Sequence, residues 1–472
     1  MSYPEDFCKQ MKELLGSEAY QCFVDAFQQE TPASIRLNPS KSNCFFKNTS
    51  PQFSVGMQVE KVPWCNTGYY LSSRPTYTFD PLFHSGVYYV QEASSMFLEQ
   101  VVSKYVKTPV RALDLCAAPG GKSTLLRALL PEGSVLVSNE VMRQRAQVLA
   151  ENMSKWGHPD VVVTNNLPAD FTDSFSEAFH LIVVDAPCSG EGMFRKDEIA
   201  IAEWSTGQVK ACVERQRRIL ADIWPCLQPG GILVYSTCTF NRMEDEDNLQ
   251  WLIDNFEAEP LDMDIPACWQ VQGDLTGRGL PVWRFLPQYV NGEGFFLCAV
   301  RKPGCVAATD FGIKKNKRVS KEPVPSAVFS SWLQEASFYN LKLQQDAWLA
   351  IPKAWSAFYD YLKEHLRILH AGVPLGEQKG KDLIPAHGLA MSQALSSDVF
   401  SRVEVDYGMA LSYLRKEAVS LPAGSDRGIV LLTYRGMPLG FVKNLGNIAN
   451  NMYPAEWRIR SSYNPEELKL VF

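Results

Sequence analysis

The 472-residue chain has twelve cysteines but no Cys-x-x-Cys pair, and its six histidines stand apart from one another. Protein zinc sites draw ligands from such short pairs, so no resident metal is expected. No apolar run approaches the roughly 20 residues needed to cross a bilayer. The opening Met1-Ser-Tyr-Pro-Glu-Asp6 also lacks the basic and then apolar pattern of an export leader. A cytoplasmic protein with reduced thiols and no membrane contact is expected. Positive charge is short too: the net charge is −6. That excludes a polybasic nucleic-acid coat but not a local basic groove, because steering depends on where charge sits. Internal repeats and low-complexity tracts are missing as well. What is plentiful is apolar content, 46% of residues, enough to core about three domains at this length.

The organising stretch is Ala112-Leu-Asp-Leu-Cys-Ala-Ala-Pro-Gly-Gly-Lys-Ser-Thr124. An apolar run, a Pro/Gly turn and then Leu125, Leu126 and Ala128 to Leu130 at helical spacing predict strand, turn and helix. Small residues at Ala117, Ala118, Gly120 and Gly121 let backbone N–H groups approach a ligand. Either a nucleotide phosphate or a nucleoside cofactor fits such a turn. A phosphate loop reads Gly-x-x-x-x-Gly-Lys-Ser/Thr. Gly121-Lys122-Ser123 supplies its end, and Leu181 to Asp185 imitates a metal-binding strand, but Cys116 stands where the first glycine belongs. A nucleoside site instead asks for an acid closing the second strand about 20 residues on. Glu140 is there, and the nucleoside reading is preferred.

Taken in order, residues 4–28 carry Phe7, Met11, Leu14, Leu15, Tyr20, Phe23 and Phe27 on one helical stripe, a packing face. A strand follows at Ser34 to Leu37 and stops at Pro39. The aromatic stretch Tyr69 to Phe83, with Arg74 and His84, reads chiefly as structure, with RNA stacking as the alternative. Further strands are expected at Ser134 to Glu140, Val161 to Thr164, His180 to Pro187 and Ile232 to Thr237. Helices fall between them, one with Arg143, Arg145 and Lys155 and one from about Arg215 to Leu227, ending at Gln228-Pro-Gly-Gly231. Trp283 to Leu286 and Gly294 to Val300 resemble a closing antiparallel pair. The alternation implies an α/β, mostly parallel, doubly wound sheet. It puts the Gly-rich turn, Glu140, Asn165, Asn166 and Asp185 at strand carboxyl ends, where ligands bind.

The expected divisions are an N-terminal extension (1–100), the sheet domain (101–303), a basic linker (304–325), an intermediate domain (326–400) and a β-rich module (401–472). The linker clusters Lys314, Lys315, Lys317, Arg318 and Lys321 and reads as solvated. The last module holds a hairpin turning at Arg435-Gly436, with Lys443, Arg458 and Arg460 near Tyr453 and Trp457.

Two strand ends carry cysteines, Asp185-Ala-Pro-Cys188 and Ser236-Thr-Cys238. Thiols beside an S-adenosylmethionine site suggest methyl transfer to a carbon that must first be activated. Carbon 5 of cytosine is such a carbon: a thiolate adding at carbon 6 makes carbon 5 nucleophilic, and a base later removes its proton. Asp185 stands where it can bond the base ring or handle protons.

Asp114-Leu-Cys-Ala-Ala-Pro-Gly-Gly-Lys122, Asn139-Glu140, Asp185-Ala-Pro-Cys-Ser-Gly190 and Tyr235-Ser-Thr-Cys238 resemble the motifs of the Sun-type (Nol/Nop/Sun) RNA cytosine-5 methyltransferases. Arg36-Leu-Asn38 and Val90-Gln-Glu-Ala-Ser94 are similar to the amino-terminal extension of its bacterial ribosomal RNA branch. Gly440 to Lys443 and Asn451 to Trp457 are similar to that branch's PUA-like RNA-binding module. The resemblance implies a Rossmann-like class I methyltransferase domain between an N-terminal α+β extension and a C-terminal β-rich PUA-like module. It further implies an S-adenosyl-L-methionine cofactor, RNA as partner (ribosomal RNA or the small subunit) and a monomeric enzyme. By resemblance Cys238 is the nucleophile, Cys188 assists product release, and Asp185 serves catalysis and the cofactor. The cofactor would be gripped by Cys116, Ala117, Ala118, Pro119, Gly120, Gly121 and Lys122, by Glu140, and by Asn166 where the family usually has an acid after the third strand. Asp170 stands nearby. Thr239 and Asn241-Arg242 replace the family's usual Ser and Asn-Pro, neither of which does chemistry. Glu140 as a mere helix cap and Lys122 as a solvated lysine remain open. A P-loop nucleotidase and a non-catalytic RNA-binding assembly factor are the rival readings.

Overall fold

The predicted N-terminal helix is two helices, Glu5–Leu15 and Ser17–Phe27, in the computed structural model of the chain, which describes residues 3–47, 49–305, 326–463 and 469–472. Gly16, at φ +78°, breaks the stripe after donating its N–H to the Lys12 carbonyl. Phe7, Met11, Phe23 and Phe27 are buried as the pattern requires. Strands β1 (Ala33–Leu37), β2 (Val59–Lys61), β3 (Gly68–Leu71) and β4 (Tyr88–Val90) then form an antiparallel sheet in the order β2-β3-β1-β4.

Strands β5 (Arg111–Asp114), β6 (Val135–Asn139), β7 (Val161–Thr164), β8 (Phe179–Asp185) and β9 (Leu227–Thr237) are mutually parallel. Their Val/Ile/Leu runs are buried on both faces, under the helices Gly121–Leu129, Arg143–Trp156, Thr206–Ile223 and Glu246–Phe256. Beyond β9 come β10 (Glu259–Pro260), β11 (Trp283–Phe285) and β12 (Phe295–Arg301), with β12 antiparallel to β9 and β11 paired to it, as expected. The helix expected at 215–227 runs instead from Thr206 to Ile223. Ser205 caps it by accepting the Gln208 N–H, and Pro225 cannot continue it, so β9 opens at Leu227 and takes in Gln228-Pro-Gly-Gly231.

The segment after residue 325, expected to be helical and mixed, is largely β. It holds β13 (Tyr339–Gln344), β14 (Ala347–Pro352), β15 (Ile368–Ala371), β16 (Val373–Lys379) and β17 (Asp382–Pro385). Four of these make their own sheet, while β15 adds antiparallel to β7, giving the main order β10-β12-β9-β8-β5-β6-β7-β15. Phe358, Tyr359 and Leu362 from the helix Ser356–His365 enter the same core as Phe171, Phe175 and Phe179. The final sheet is β18 (Ser401–Glu404), β19 (Gly428–Tyr434), β20 (Met437–Asn444) and β21 (Ala449–Asn451). Its β19–β20 hairpin turns at Arg435 and Gly436, both at positive φ, as the sequence predicts. Val471 and Phe472 return to the first sheet, where Phe472 meets Phe45, Phe46, Phe53 and Tyr88. No helix among the described residues is long and apolar enough to cross a membrane. The basic run Lys314 to Lys321 lies outside the described residues.

Candidate active site

The Gly-rich turn leaves β5 at Asp114 and enters the helix Gly121–Leu129. Gly120 sits at φ +120°, a conformation that L side chains rarely adopt, and the Ala117 N–H is held by the Asn139 carbonyl at 2.8 Å. The extension fastens this turn from outside. Arg36, fully buried, donates to the Gln91 amide oxygen (2.8 Å), Thr124 Oγ1 (2.6 Å) and the Gly121 carbonyl (3.4 Å), and lies over the Trp156 ring.

Asp114 is completely buried, and that burial pushes its carboxyl up to about 7, aided by the charges of Asp185 and Glu140. Its Oδ2 accepts from Ser123 Oγ at 2.7 Å, while Oδ1 has no partner. A buried, unpartnered carboxylate oxygen fits a cationic ligand group such as the amino group of S-adenosylmethionine.

Glu140 directly follows β6, and its Oε1 accepts the Met142 N–H at 2.9 Å just ahead of the helix Arg143–Trp156. Arg145 lies 3.4 Å from its other oxygen and bonds the Ala118 carbonyl, so Glu140 and the turn are joined through it. Asn166 is spent on architecture: its Oδ1 accepts the Arg367 N–H, its amide reaches Asp170, and its backbone is tied twice to the Asn139 side chain. Lys122 is not a solvated lysine. It is mostly buried and pairs with Asp185 Oδ2 at 2.8 Å. Burial opposes its charge most strongly, but Asp185, with help from Asp114 and Cys238, lifts the ammonium above its ordinary value. Asp185 Oδ1 accepts from Ser236 Oγ at 2.8 Å.

The two cysteines meet. Cys188 Sγ and Cys238 Sγ are 3.2 Å apart, within sulfur hydrogen-bond reach. The hydrogen bond to Cys238 is the largest reason that Cys188 is held well above the usual thiol range, followed by burial. Burial likewise pushes the Cys116 thiol up. A cleft of about 340 Å³ is lined by Cys116, Ala117, Ala118, Pro119, Gly121, Lys122, Asp185 and Cys238. The cleft is also lined by Tyr89, Gln91 and Glu92 from the extension and by Lys196, Glu293 and Phe295 from later loops, of which Tyr89, Lys196 and Glu293 were not marked from the sequence. Glu140 and Asn166 do not line this cleft. Val90-Gln-Glu-Ala-Ser94 was the available signal for the extension's side; for Glu293 nothing in the spacing pointed to the cleft. No group of three or more metal-capable His, Cys, Asp or Glu side chains occurs among the described residues.

A parallel sheet closed by an antiparallel last strand, with a glycine turn and acids at its carboxyl edge, defines an S-adenosylmethionine-dependent methyltransferase domain. Family models match in three pieces: the N-terminal domain of 16S rRNA methyltransferase RsmF over 3–93, 16S rRNA methyltransferase RsmB/F over 106–301 and the methyltransferase RsmF PUA domain over 400–459. The ribosomal RNA small subunit methyltransferase F of Enterobacter sp. (strain 638) is 30% identical, across 96% of this chain and 95% of its own. The chain belongs to the ribosomal RNA small subunit methyltransferase F family. A methyltransferase homolog protein from Pyrococcus horikoshii superposes with a TM-score of 0.54 and 29% identity, covering 64% of this chain and 96% of its own. NSun6 from Pyrococcus horikoshii, crystallised with SFG, shares the fold at a TM-score of 0.54 and 19% identity, over 64% of this chain and 99% of its own. The phosphate-loop and non-catalytic readings have no support in these matches.

Proposed function

We propose that this enzyme methylates carbon 5 of cytosine in small-subunit (16S) ribosomal RNA, as a cytoplasmic monomer without a metal. The observation that carries the reading is the pair of thiols 3.2 Å apart, of which Cys238 lines the cleft that also holds the Lys122–Asp185 ion pair. The extension (1–100) and the PUA-like module (401–472) would hold RNA, the linker (304–325) and intermediate segment (326–400) would join them, and residues 101–303 would do the chemistry.

S-adenosylmethionine, when bound, supplies an electrophilic methyl group. Residues Cys116 to Lys122, Glu140 and Asp185 would hold it, and the unpartnered Asp114 Oδ1 would accept from its amino group. Cys238, the thiol that lines the cleft, is the nucleophile. As a thiolate it bonds carbon 6 of cytosine, and the electron pair of the 5,6 double bond moves toward carbon 5 and the ring's N3 and O2. The Lys122 ammonium stabilises that developing charge, and Asp185 both holds Lys122 and accepts from the exocyclic amine.

Cys188 acts next. Once Cys238 is bonded to carbon, it no longer accepts a hydrogen bond from Cys188, so the largest cause of the raised Cys188 pKa disappears. Cys188 then gives its proton to water, and its sulfur takes the proton from carbon 5 after methylation. The 5,6 double bond re-forms, Cys238 leaves as thiolate, and the restored Cys188 S–H donates to it. One proton goes to solvent per methyl transferred.

The test compares protein–RNA adducts on denaturing gels with labelled small-subunit RNA. Cys188→Ala should accumulate a denaturant-stable adduct, and Cys238→Ala should form none. An adduct that persists in Cys238→Ala assigns the nucleophile elsewhere.

A further inference from the structure

The sheet does not fix the separation of the two thiols. The β8–β9 ladder ends at the Asp185–Ser236 pair, with one more bond from the Ala186 N–H to the Ser236 carbonyl. Cys188 and Cys238 lie beyond it, each in a loop. Two buried carboxylates cross between those loops in opposite directions. Glu191, on the Cys188 loop, accepts the backbone N–H groups of Phe240 (2.8 Å) and Asn241 (3.0 Å) on the Cys238 loop. Glu244, on the Cys238 loop, accepts the Ser189 N–H at 3.0 Å on the Cys188 loop. The Asn241 side-chain amide joins both, 3.0 Å from Glu191 and 2.8 Å from Glu244.

Both carboxylates are fully buried, and burial pushes the Glu244 carboxyl up. Their remaining contacts are also with N–H donors, Trp204 Nε1 for Glu191 and Gln216 Nε2 for Glu244. The neighbouring buried cation, Arg284, is taken by Asp245 and Glu246. Two buried acids beside each other are expensive, but this set of converging N–H groups needs acceptors on both oxygens. An amide would turn an NH₂ group against N–H donors. The N-terminal helices back the arrangement, with Phe23 5.1 Å from Phe240 and Phe7 5.0 Å from Phe194.

We propose that Glu191 and Glu244 are positioning residues that strap the two cysteine loops to each other and so set the spacing of the thiols for catalysis. The catalytic meaning of this spacing rests on the thiol chemistry proposed above. Glu244 also adds to the raised Cys188 pKa, after the Cys238 hydrogen bond and burial, which keeps the proton on Cys188.

The experiment uses full-length protein with Glu191→Gln and Glu244→Gln, and reads three quantities. Diamide takes two hydrogens from neighbouring thiols, so the rate at which it closes a Cys188–Cys238 disulfide, followed by peptide mapping, reports their spacing without RNA or cofactor. Methyl transfer gives kcat and the KM for S-adenosylmethionine, and thermal melting reports folding. The expected result is a disulfide rate and a kcat each lower by about tenfold or more, with KM within about twofold, because the straps do not touch the cofactor turn. Wild-type cross-linking in both variants overturns the proposal, as does a loss of kcat without a loss of cross-linking. If either variant does not fold, Glu191→Asp and Glu244→Asp keep each carboxylate but shorten its reach to the opposite loop. Unchanged cross-linking and kcat there would equally overturn it. A wild-type protein that makes no 5-methylcytosine removes the proposed function, while the disulfide rates still decide the straps.

Discussion

Asp114 shows how a single residue can carry a pH signature. In the unfolded chain its carboxyl loses its proton near the ordinary value of 3.8, whereas in the fold it holds the proton to about 7. The folded state therefore keeps a proton that the unfolded state has lost, and this contribution to stability fades as pH rises through about 7. A bound ammonium group reverses the preference, since it favours the ionised carboxylate. Affinity for S-adenosylmethionine, measured by calorimetry, should thus tighten several-fold from about pH 5.5 to about pH 7.5, and Asp114→Asn should flatten that rise. Equal slopes for the two proteins would remove Asp114 from the cofactor site. At this scale the sequence was legible where chemistry demands a residue type. The cysteines and Asp185 could be marked from the strand ends they follow, and the structure brings Lys122 to Asp185 and Cys238 to Cys188. Partnership was not legible. Nothing in spacing says that Glu191 and Glu244 reach across to each other's loops, because those bonds depend on where two strands end in space.

Among the elements, the β1 strand and the helix Gly121–Leu129 form one mechanical unit through Arg36. Its guanidinium is buried enough to fall to about 10, and it is held by the neutral acceptors Gln91, Thr124 and Gly121 together with the Trp156 ring. Arg36→Met should cost about 2–3 kcal/mol in urea unfolding, through lost charge-assisted bonds and unpartnered acceptors. It should also raise the KM for S-adenosylmethionine, since the start of the cofactor helix loses its outer anchor. A variant with wild-type stability and KM would show the anchor to be idle. The parallel strands were readable because strands buried on both faces are near-continuous apolar runs. The N-terminal helix break was missed because a stripe at 3.6-residue period persists through Gly16, and only its φ of +78° reveals the turn. The helix before β9 was placed too late, since the Ser205 cap is a weaker signal than the apolar run it precedes.

At the scale of the whole molecule, the segment after residue 325 completes the catalytic sheet. β15 covers the edge of β7, and Trp355, Phe358, Tyr359 and Leu362 fill the core beside Phe175 and Phe179. A chain ending at residue 303 would bare both an unpaired strand edge and that apolar face. It should aggregate or melt well below the full-length protein, whereas a chain cut after residue 400 should retain the sheet edge. Similar solubility and melting for the two truncations would show that β15 adds nothing. This coverage was illegible in the sequence, because edge pairing joins residues some 200 positions apart, Thr164 with Ile368. The product of the whole enzyme is the most direct readout of its chemistry. Small-subunit RNA and assembled subunits lacking the modification should be incubated with labelled S-adenosylmethionine and then digested for nucleoside mass analysis. Label in 5-methylcytosine with the wild-type protein, and none with Cys238→Ala, is the predicted result. Label in any other nucleoside, or undiminished 5-methylcytosine with Cys238→Ala, would contradict it.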